Sequence, residues 1–309
     1  MNGSTRPIFR GGIFASCVVV AGLTLLAAPI AHADQGEDSA EEYFKLGNEY
    51  FNGKLIDKAV ESYEKCVELK PDYKEAWYNL GIAYSKQRKY KKEIEAYQKA
   101  VAVDPRYEKA LYNLAIAYED SNLLEDALKA YERVEQVSPD AVDSLVNQGI
   151  LRARLGQLDK AIDVYKRAIA LDGNLPDAWF NLGIAYARQA ERAADDAAKK
   201  ALFEQERDAY KKAVEIAPTY HKGWYNLAIA ENKLGNLDAE IAAYEQALKV
   251  RPNYPQALFN LAYAYEEKSE TAKAIDVWQR YVDAAAKLPT EQEYIVIAKQ
   301  ELQRLQAPN

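Results

Sequence analysis

The stretch from Lys74 to Tyr107, KEAWYNLGIAYSKQRKYKKEIEAYQKAVAVDPRY, returns along the chain with a period of 34 residues, and that period constrains the fold most. The unit holds two helical patterns. Trp77, Leu80, Gly81 and Tyr84 fall at i, i+3, i+4 and i+7, which is one face of a helix. A polar break, Gln87-Arg88-Lys89, separates them from Ile94, Tyr97, Ala100 and Val101. Pro105 stops the second pattern, because proline has no N–H and clashes with the preceding turn. A helix pair this short cannot bury its apolar face alone, so the units must stack on one another.

Positions within a unit are numbered as slots, with Lys74 at slot 1 and Trp77 at slot 4. The first unit, 40–73, carries Tyr43, Leu46, Gly47, Tyr50, Ala59, Tyr63 and Pro71 at the anchor slots; the second, 74–107, begins at Lys74. The third, 108–141, carries Leu111, Leu114, Ala115, Tyr118, Ala127, Tyr131 and Pro139. The fourth, 142–175, is the weakest: Gln148 and Arg152 replace anchors and Gly173 replaces the closing proline. The fifth, 176–220, opens with Trp179, Leu182, Gly183 and Tyr186 but resumes only at Tyr210, Ala213 and Pro218, so 11 residues are inserted. The insertion, near Ala190–Lys200, consists of strong helix formers and is close to three turns long, which predicts a hairpin extended past its neighbours. The sixth and seventh units are 221–254, with Trp224, Leu227 and Tyr244, and 255–288, with Leu258, Leu261, Tyr265 and Trp278. Residues 289–309 read as a capping helix, with Thr290 and Glu293 at capping-box spacing and Tyr294, Ile297, Ala298, Leu302 and Leu305 as its apolar face. At the other end, Ser39 and Glu42 have the same spacing after a short acidic tail, 34–39.

Trp, Leu-Gly, Tyr, Ala, Tyr, Ala and Pro at fixed offsets in a 34-residue period resemble the tetratricopeptide repeat family, over nearly all of 40–288. The resemblance implies an all-α fold: a right-handed α-solenoid of seven helix-turn-helix units plus the C-terminal helix, with a concave inner face. It implies a protein or peptide partner without naming one.

Residues 1–33 read differently. Arg6 and Arg10 form a positive n-region, Ile13 to Ile30 an apolar run, and Ala31-His32-Ala33 a small-residue cleavage site, which is the pattern of a secretory signal peptide. The expected location is the periplasm or the exterior; the alternative is an inner-membrane anchor, and membrane contact is expected only if the segment stays uncleaved. Without 1–33 the net charge goes from −7 to −9, which argues against nucleic acid as a partner. The remaining chain has one cysteine, Cys66, in a core slot, and one histidine, His221, with no metal-site companion. No Gly-rich phosphate loop is present, so the sequence predicts no enzyme, no metal and no cofactor.

Function is therefore sought on the second face of the first helix. Slots 4, 7, 8 and 11 cluster on one side; slots 2, 5, 6, 9 and 13 gather on another, at about 100° per residue. Slot 5 is Phe44, Tyr78, Tyr112, Val146, Phe180, Tyr225 and Phe259, read as aromatic contact area exposed in the groove. Slot 9 is Ile82, Ile116, Ile150, Ile184 and Ile229, flanked by Asn48 and Tyr263; it either packs between helices or stays open. Slot 6 is Asn79, Asn113, Asn147, Asn181, Asn226 and Asn260 in six successive units. An amide both donates and accepts, so this row can pair with the backbone of an extended segment, or it can be spent on bonds between repeats. The row is similar to the asparagine ladder in the repeats of O-linked N-acetylglucosamine transferases, without a catalytic domain in this sequence. Asn48, Asn79 and Lys109 match three positions of the carboxylate-clamp repeats, but Phe44 and Asn113 stand where that clamp has cations. Arg154, Arg188, Lys222 and Lys233 form a mild basic cluster along units four to six. Self-assembly through the hairpin and the terminal helices is the competing expectation, as is an accessory role in a pilus, secretion or cell-wall complex.

Overall fold

The computed structural model describes residues 35–307, with helix throughout and no strand among them. The first helices of successive units are α1 (Gln35–Asn52), α3 (Lys74–Lys86), α5 (Glu108–Asp120), α7 (Val142–Arg154), α9 (Pro176–Arg192), α11 (His221–Lys233) and α13 (Pro255–Glu267). The second helices are α2 (Ile56–Leu69), α4 (Tyr90–Val103), α6 (Leu124–Val137), α8 (Leu158–Leu171), α10 (Asp196–Ile216), α12 (Leu237–Val250) and α14 (Thr271–Ala285), and α15 (Gln292–Gln306) closes the array. Each helix packs on the next in chain order, so the seven pairs form an α-solenoid with α15 at its end.

The core is built from the anchor slots. Ala59, Ala127, Ala161 and Ala274 at slot 20 are completely buried, and so, within 3%, is every slot-24 ring from Tyr63 to Trp278. Truncating a buried ring of this size costs roughly 3–5 kcal/mol. Glycine at slot 8 makes room for it: a Cβ on Gly81 would lie 2.5 Å from Cε1 of Tyr97. Cys66 lies in this core, and burial pushes its thiol up to about 11, which keeps it protonated.

The turn inside a pair has a fixed form. Slot 15 has positive φ in six units: Lys54, Arg88, Asn122, Gly156, Gly235 and Ser269. The next amide then reaches back to the first helix, as Lys89 N–H donates to Tyr84 O at 3.0 Å, in a Schellman closure. The fifth pair departs. Its helices have 17 and 21 residues against 13 and 14 in the pairs beside it, and Asp195 caps α10 by accepting from Ala198 N–H at 2.7 Å. The inserted residues thus lengthen both helices and leave the connection short.

Three expectations need correction. The chain is helical from Gln35, so Ser39 lies inside α1 and is not its cap; a packed helix propagates backwards until something stops it, and no proline stands at 35–39. Thr290 lies in a short 3₁₀ turn, Pro289–Glu291, and makes no capping bond to α15. The apolar face of α15 is rotated: Ile295, Ala298 and Leu302 are buried, whereas Tyr294, Val296 and Ile297 are exposed. The helix packs on α14 through that buried face, as an extra first helix would. The fourth unit holds its polar anchors by bonding them: Gln148 Nε2 donates to Glu135 Oε2 at 2.9 Å, and Arg152 pairs with Glu132 at 2.6 Å. The signal-peptide reading of 1–33 lies outside the described residues.

Candidate functional site

Slots 2, 6, 9 and 13 lie within about 60° of one another around a first helix. In α9 these are Asp177, Asn181, Ile184 and Arg188; in α11 they are Lys222, Asn226, Ile229 and Lys233. Hydrogen bonds from slot 6 to the preceding unit tie successive first helices side by side. Asn113 Nδ2 donates to Tyr78 Oη at 3.0 Å, Asn147 to Tyr112 Oη at 3.1 Å, and Asn260 to Tyr225 Oη at 3.4 Å. Asn147 and Asn260 also reach the slot-24 hydroxyls of Tyr131 and Tyr244, at 3.2 and 3.1 Å.

From Asn113 onward the slot-6 amides therefore fall into two groups, and slot 5 of the preceding unit decides which. Where slot 5 is tyrosine, its hydroxyl takes the next asparagine. Ahead of Asn181 stands Val146, and ahead of Asn226 stands Phe180; neither has a hydroxyl. Both asparagines turn back on their own helix, donating to Asp177 O and Lys222 O at 2.8 Å each. Among the described residues, neither has a side-chain partner. Asn79 follows Phe44 and donates to Asn48 Oδ1 at 2.8 Å, which also accepts from Tyr63 Oη at 2.7 Å. Two of the three clamp-like positions are thereby spent on each other; Lys109, the third, is exposed.

The slot-5 rings do not stand free, contrary to the expectation. Each is half-buried between the slot-24 ring and, where the unit has one, the tyrosine at slot 34. Tyr78 lies 5.9 Å from Tyr97 and 5.4 Å from Tyr107; Phe180 lies 5.5 Å from Tyr210 and 4.9 Å from Tyr220. Tyr225 repeats this with Tyr244 and Tyr254, and Tyr112 packs on Tyr131. Phe259 sits against Trp278, Tyr281, Tyr263 and Tyr294, an aromatic cluster that crosses from the seventh pair to α15. The Tyr and Phe choice at slot 5 acts mainly through the hydroxyl, since the ring itself is enclosed. Slot 9 is half-buried in its five isoleucines and exposed only at Tyr263.

The basic cluster is less uniform than its sequence. Lys233 Nζ lies 2.8 Å from Oε1 of Glu206, a carboxylate 2% exposed, so its charge is spent in the structure. Arg154 is 3.6 Å from Glu119. Arg188 donates to Ala153 O at 3.4 Å and makes no ion pair among the described residues, and Lys222 is exposed. Glu206 belongs to a set that composition did not reveal. Glu93, Glu206 and Glu240 replace alanine at slot 20, and burial pushes all three carboxyls up, Glu93 to about 7. Each faces slot 13 of the next unit: Asp120, Lys233 and Glu267 respectively. The slot-20 glutamates were visible as departures from alanine; their pairing across units was not.

Models described as TPR repeat match residues 47–88, 149–189 and 230–269, and models described as tetratricopeptide repeat match 75–107, 108–140, 209–242 and 256–287. No curated protein matches the chain in sequence. Among solved structures, a tetratricopeptide repeat protein from Parabacteroides merdae aligns with a TM-score of 0.56 at 15% identity, covering 87% of this chain and 100% of its own. YrrB, described as a TPR protein with an unusual peptide-binding site, aligns at 0.54 and 18%, covering 64% and 97%. Pseudomonas aeruginosa pilF aligns at 0.54 and 16%, covering 72% and 96%. At these identities the likeness speaks for the fold alone. Family models touch every helix pair, and the pairs stack as an α-solenoid through their anchor residues: the chain belongs to the tetratricopeptide repeat family.

Proposed function

We propose that this chain is a non-enzymatic adaptor that holds an extended segment of a partner protein along its first-helix face, and that it works in the cell envelope after export. One observation carries the reading: Asn181 and Asn226 lack the hydroxyl partner that takes their equivalents at Asn113, Asn147 and Asn260. A side-chain amide that keeps an acceptor and a donor in reserve can pair with a peptide backbone, and two of them on adjacent helices hold it in register. Half-buried isoleucines between them, Ile184 and Ile229, give the segment apolar surface. A TPR protein with a peptide-binding site among the structural neighbours agrees with this reading. Export rests on residues 1–33, and N-terminal sequencing of the protein from cells tests it: a mature N-terminus at Asp34 is expected, an intact Met1 is the contrary result.

Selection of random 12-residue peptides on the immobilised full-length protein tests the adaptor reading. Peptides are expected to be enriched on the wild type and lost on Asn181→Ala/Asn226→Ala, with helicity unchanged by circular dichroism. Equal retention on both proteins would sink it. The exposed Tyr294, Val296 and Ile297 favour a second reading, homotypic contact through α15. Val296→Glu/Ile297→Glu should then shift the full-length protein to a smaller species on gel filtration; a monomeric wild type at high concentration contradicts this.

A further inference from the structure

The first-helix face carries a sign pattern along one rim, and its bearing on specificity rests on the proposed groove. Slot 13 runs Asp120, Arg154, Arg188, Lys233 and Glu267 through units three to seven, and all five are exposed. The acids at slot 2, Asp143 and Asp177, lie eleven residues away on the same helices. That is about 16 Å along the axis, twice the roughly 8 Å screening length at physiological salt. They do not cancel this rim. Lys233 is neutralised by Glu206 at 2.8 Å, and Arg154 is offset in part by Glu119 at 3.6 Å. Arg188 keeps its charge: it donates to the carbonyl of Ala153 at 3.4 Å and makes no ion pair among the described residues. Positive potential therefore gathers at the step between α7 and α9, with acidic residues on both sides of it.

We infer that the bound segment carries acidic side chains at its centre, seated on Arg188 and Arg154, while its backbone runs over Asn181 and Asn226. Adjacent first helices pack about 8–10 Å apart. A segment in polyproline-II conformation rises about 9 Å over three residues and returns to the same face, so two acids three residues apart meet the two arginines. A uniformly polyanionic partner such as nucleic acid would bring Asp120 and Glu267 against phosphates, and a long basic segment would face the arginines. A short acidic stretch avoids both.

The test is the same peptide selection, run in parallel on full-length wild type and on Arg188→Glu. Peptides from the wild type should be enriched in Asp and Glu at central positions, and those from Arg188→Glu should lose that bias. A fluorescein-labelled wild-type winner should bind Arg188→Glu on the order of tenfold more weakly or worse, as for a lost hydrogen bond to a charged group. Its affinity should also fall with added salt. Arg188→Gln, which removes the charge without reversing it, should give an intermediate loss and guards against misfolding of the Glu variant. Selection of peptides with no charge bias overturns the acidic specificity and leaves the groove reading standing. Failure to select any peptide on the wild type overturns the groove reading itself.

Discussion

Replacing Phe180 by tyrosine should close the site that the phenylalanine leaves open. The rings around slot 5 are nearly superimposable between units, which allows the new hydroxyl to be placed. Phe180 lies 5.5 Å from Tyr210 and 4.9 Å from Tyr220, both at 49°. Tyr225 lies 5.9 Å from Tyr244 and 5.2 Å from Tyr254, at 50° and 52°, and its hydroxyl accepts from Asn260 at 3.4 Å. A tyrosine at 180 should accept from Asn226 in the same way. A part-buried hydrogen bond of this kind contributes about 0.5–1.5 kcal/mol. Asn226 gives up only its bond to the carbonyl of Lys222, an exposed one. The expected result is stabilisation of the α9–α11 junction by about 0.5–1 kcal/mol, after that loss. A solenoid does not unfold as one cooperative unit, so the assay must be local. Native-state hydrogen exchange of α11 amides should slow by roughly two- to fivefold. A bound peptide must now compete with the hydroxyl for Asn226, so its affinity should fall by a similar factor. In an Asn226→Ala background the same substitution should change neither quantity. Stabilisation that persists there, or unchanged peptide affinity, would refute the reasoning.

Glu93 gives a prediction about pH. Burial raises its carboxyl to about 7 from an ordinary 4.5, with Ser85 of α3 bonded to it, Asp120 of α5 opposing it and Tyr97 beside it on α4. An acid whose folded value is raised adds no penalty below pH 4.5, and the penalty grows until about pH 7. Its ceiling is about 3 kcal/mol. Hydrogen-exchange protection of α4 should therefore be higher in Glu93→Gln than in wild type at pH 8 and alike at pH 4.5; equal protection in the two proteins across that range contradicts the account. Lys233→Met removes the partner of the buried Glu206 and should destabilise α10–α11 by about 3 kcal/mol at neutral pH. The loss should shrink as the pH falls, because burial raises the Glu206 carboxyl and protonation removes the unpaired charge, as exchange rates at several pH values will show. Gly156→Ala forces alanine into a backbone with φ of +76° and should cost about 1–2 kcal/mol by hydrogen exchange of α7 and α8. No change on that substitution would mean that the turn rearranges.

The anchors were legible in the sequence because they obey two periods at once, 34 along the chain and 3.6 around the helix. Leu80, Gly81 and Tyr97 could be assigned to the core from spacing alone, Trp77 to its half-buried margin, and the asparagine row could be placed on the other face. Three things were not legible. Slot 5 alternates Tyr, Val and Phe, and the letters are visible, but only distances reveal that the hydroxyl of one unit takes the amide of the next. The burial of Glu206 under Lys233 depends on contact between units, which local periodicity does not report. α15 turns Ile295, Ala298 and Leu302 inward instead, so Tyr294 and Ile297 read as core and stand exposed.

The central claim is that two of the six asparagines, Asn181 and Asn226, remain available to a partner because slot 5 of the preceding unit carries no hydroxyl. The side-chain amide ¹⁵N resonances of the full-length protein, assigned by single Asn→Gln substitutions, test it most directly when a selected peptide is titrated in. The signals of Asn181 and Asn226 should shift in proportion to occupancy, while those of Asn113, Asn147 and Asn260 stay in place. Shifts at Asn113, Asn147 and Asn260, with Asn181 and Asn226 unmoved, would contradict the account.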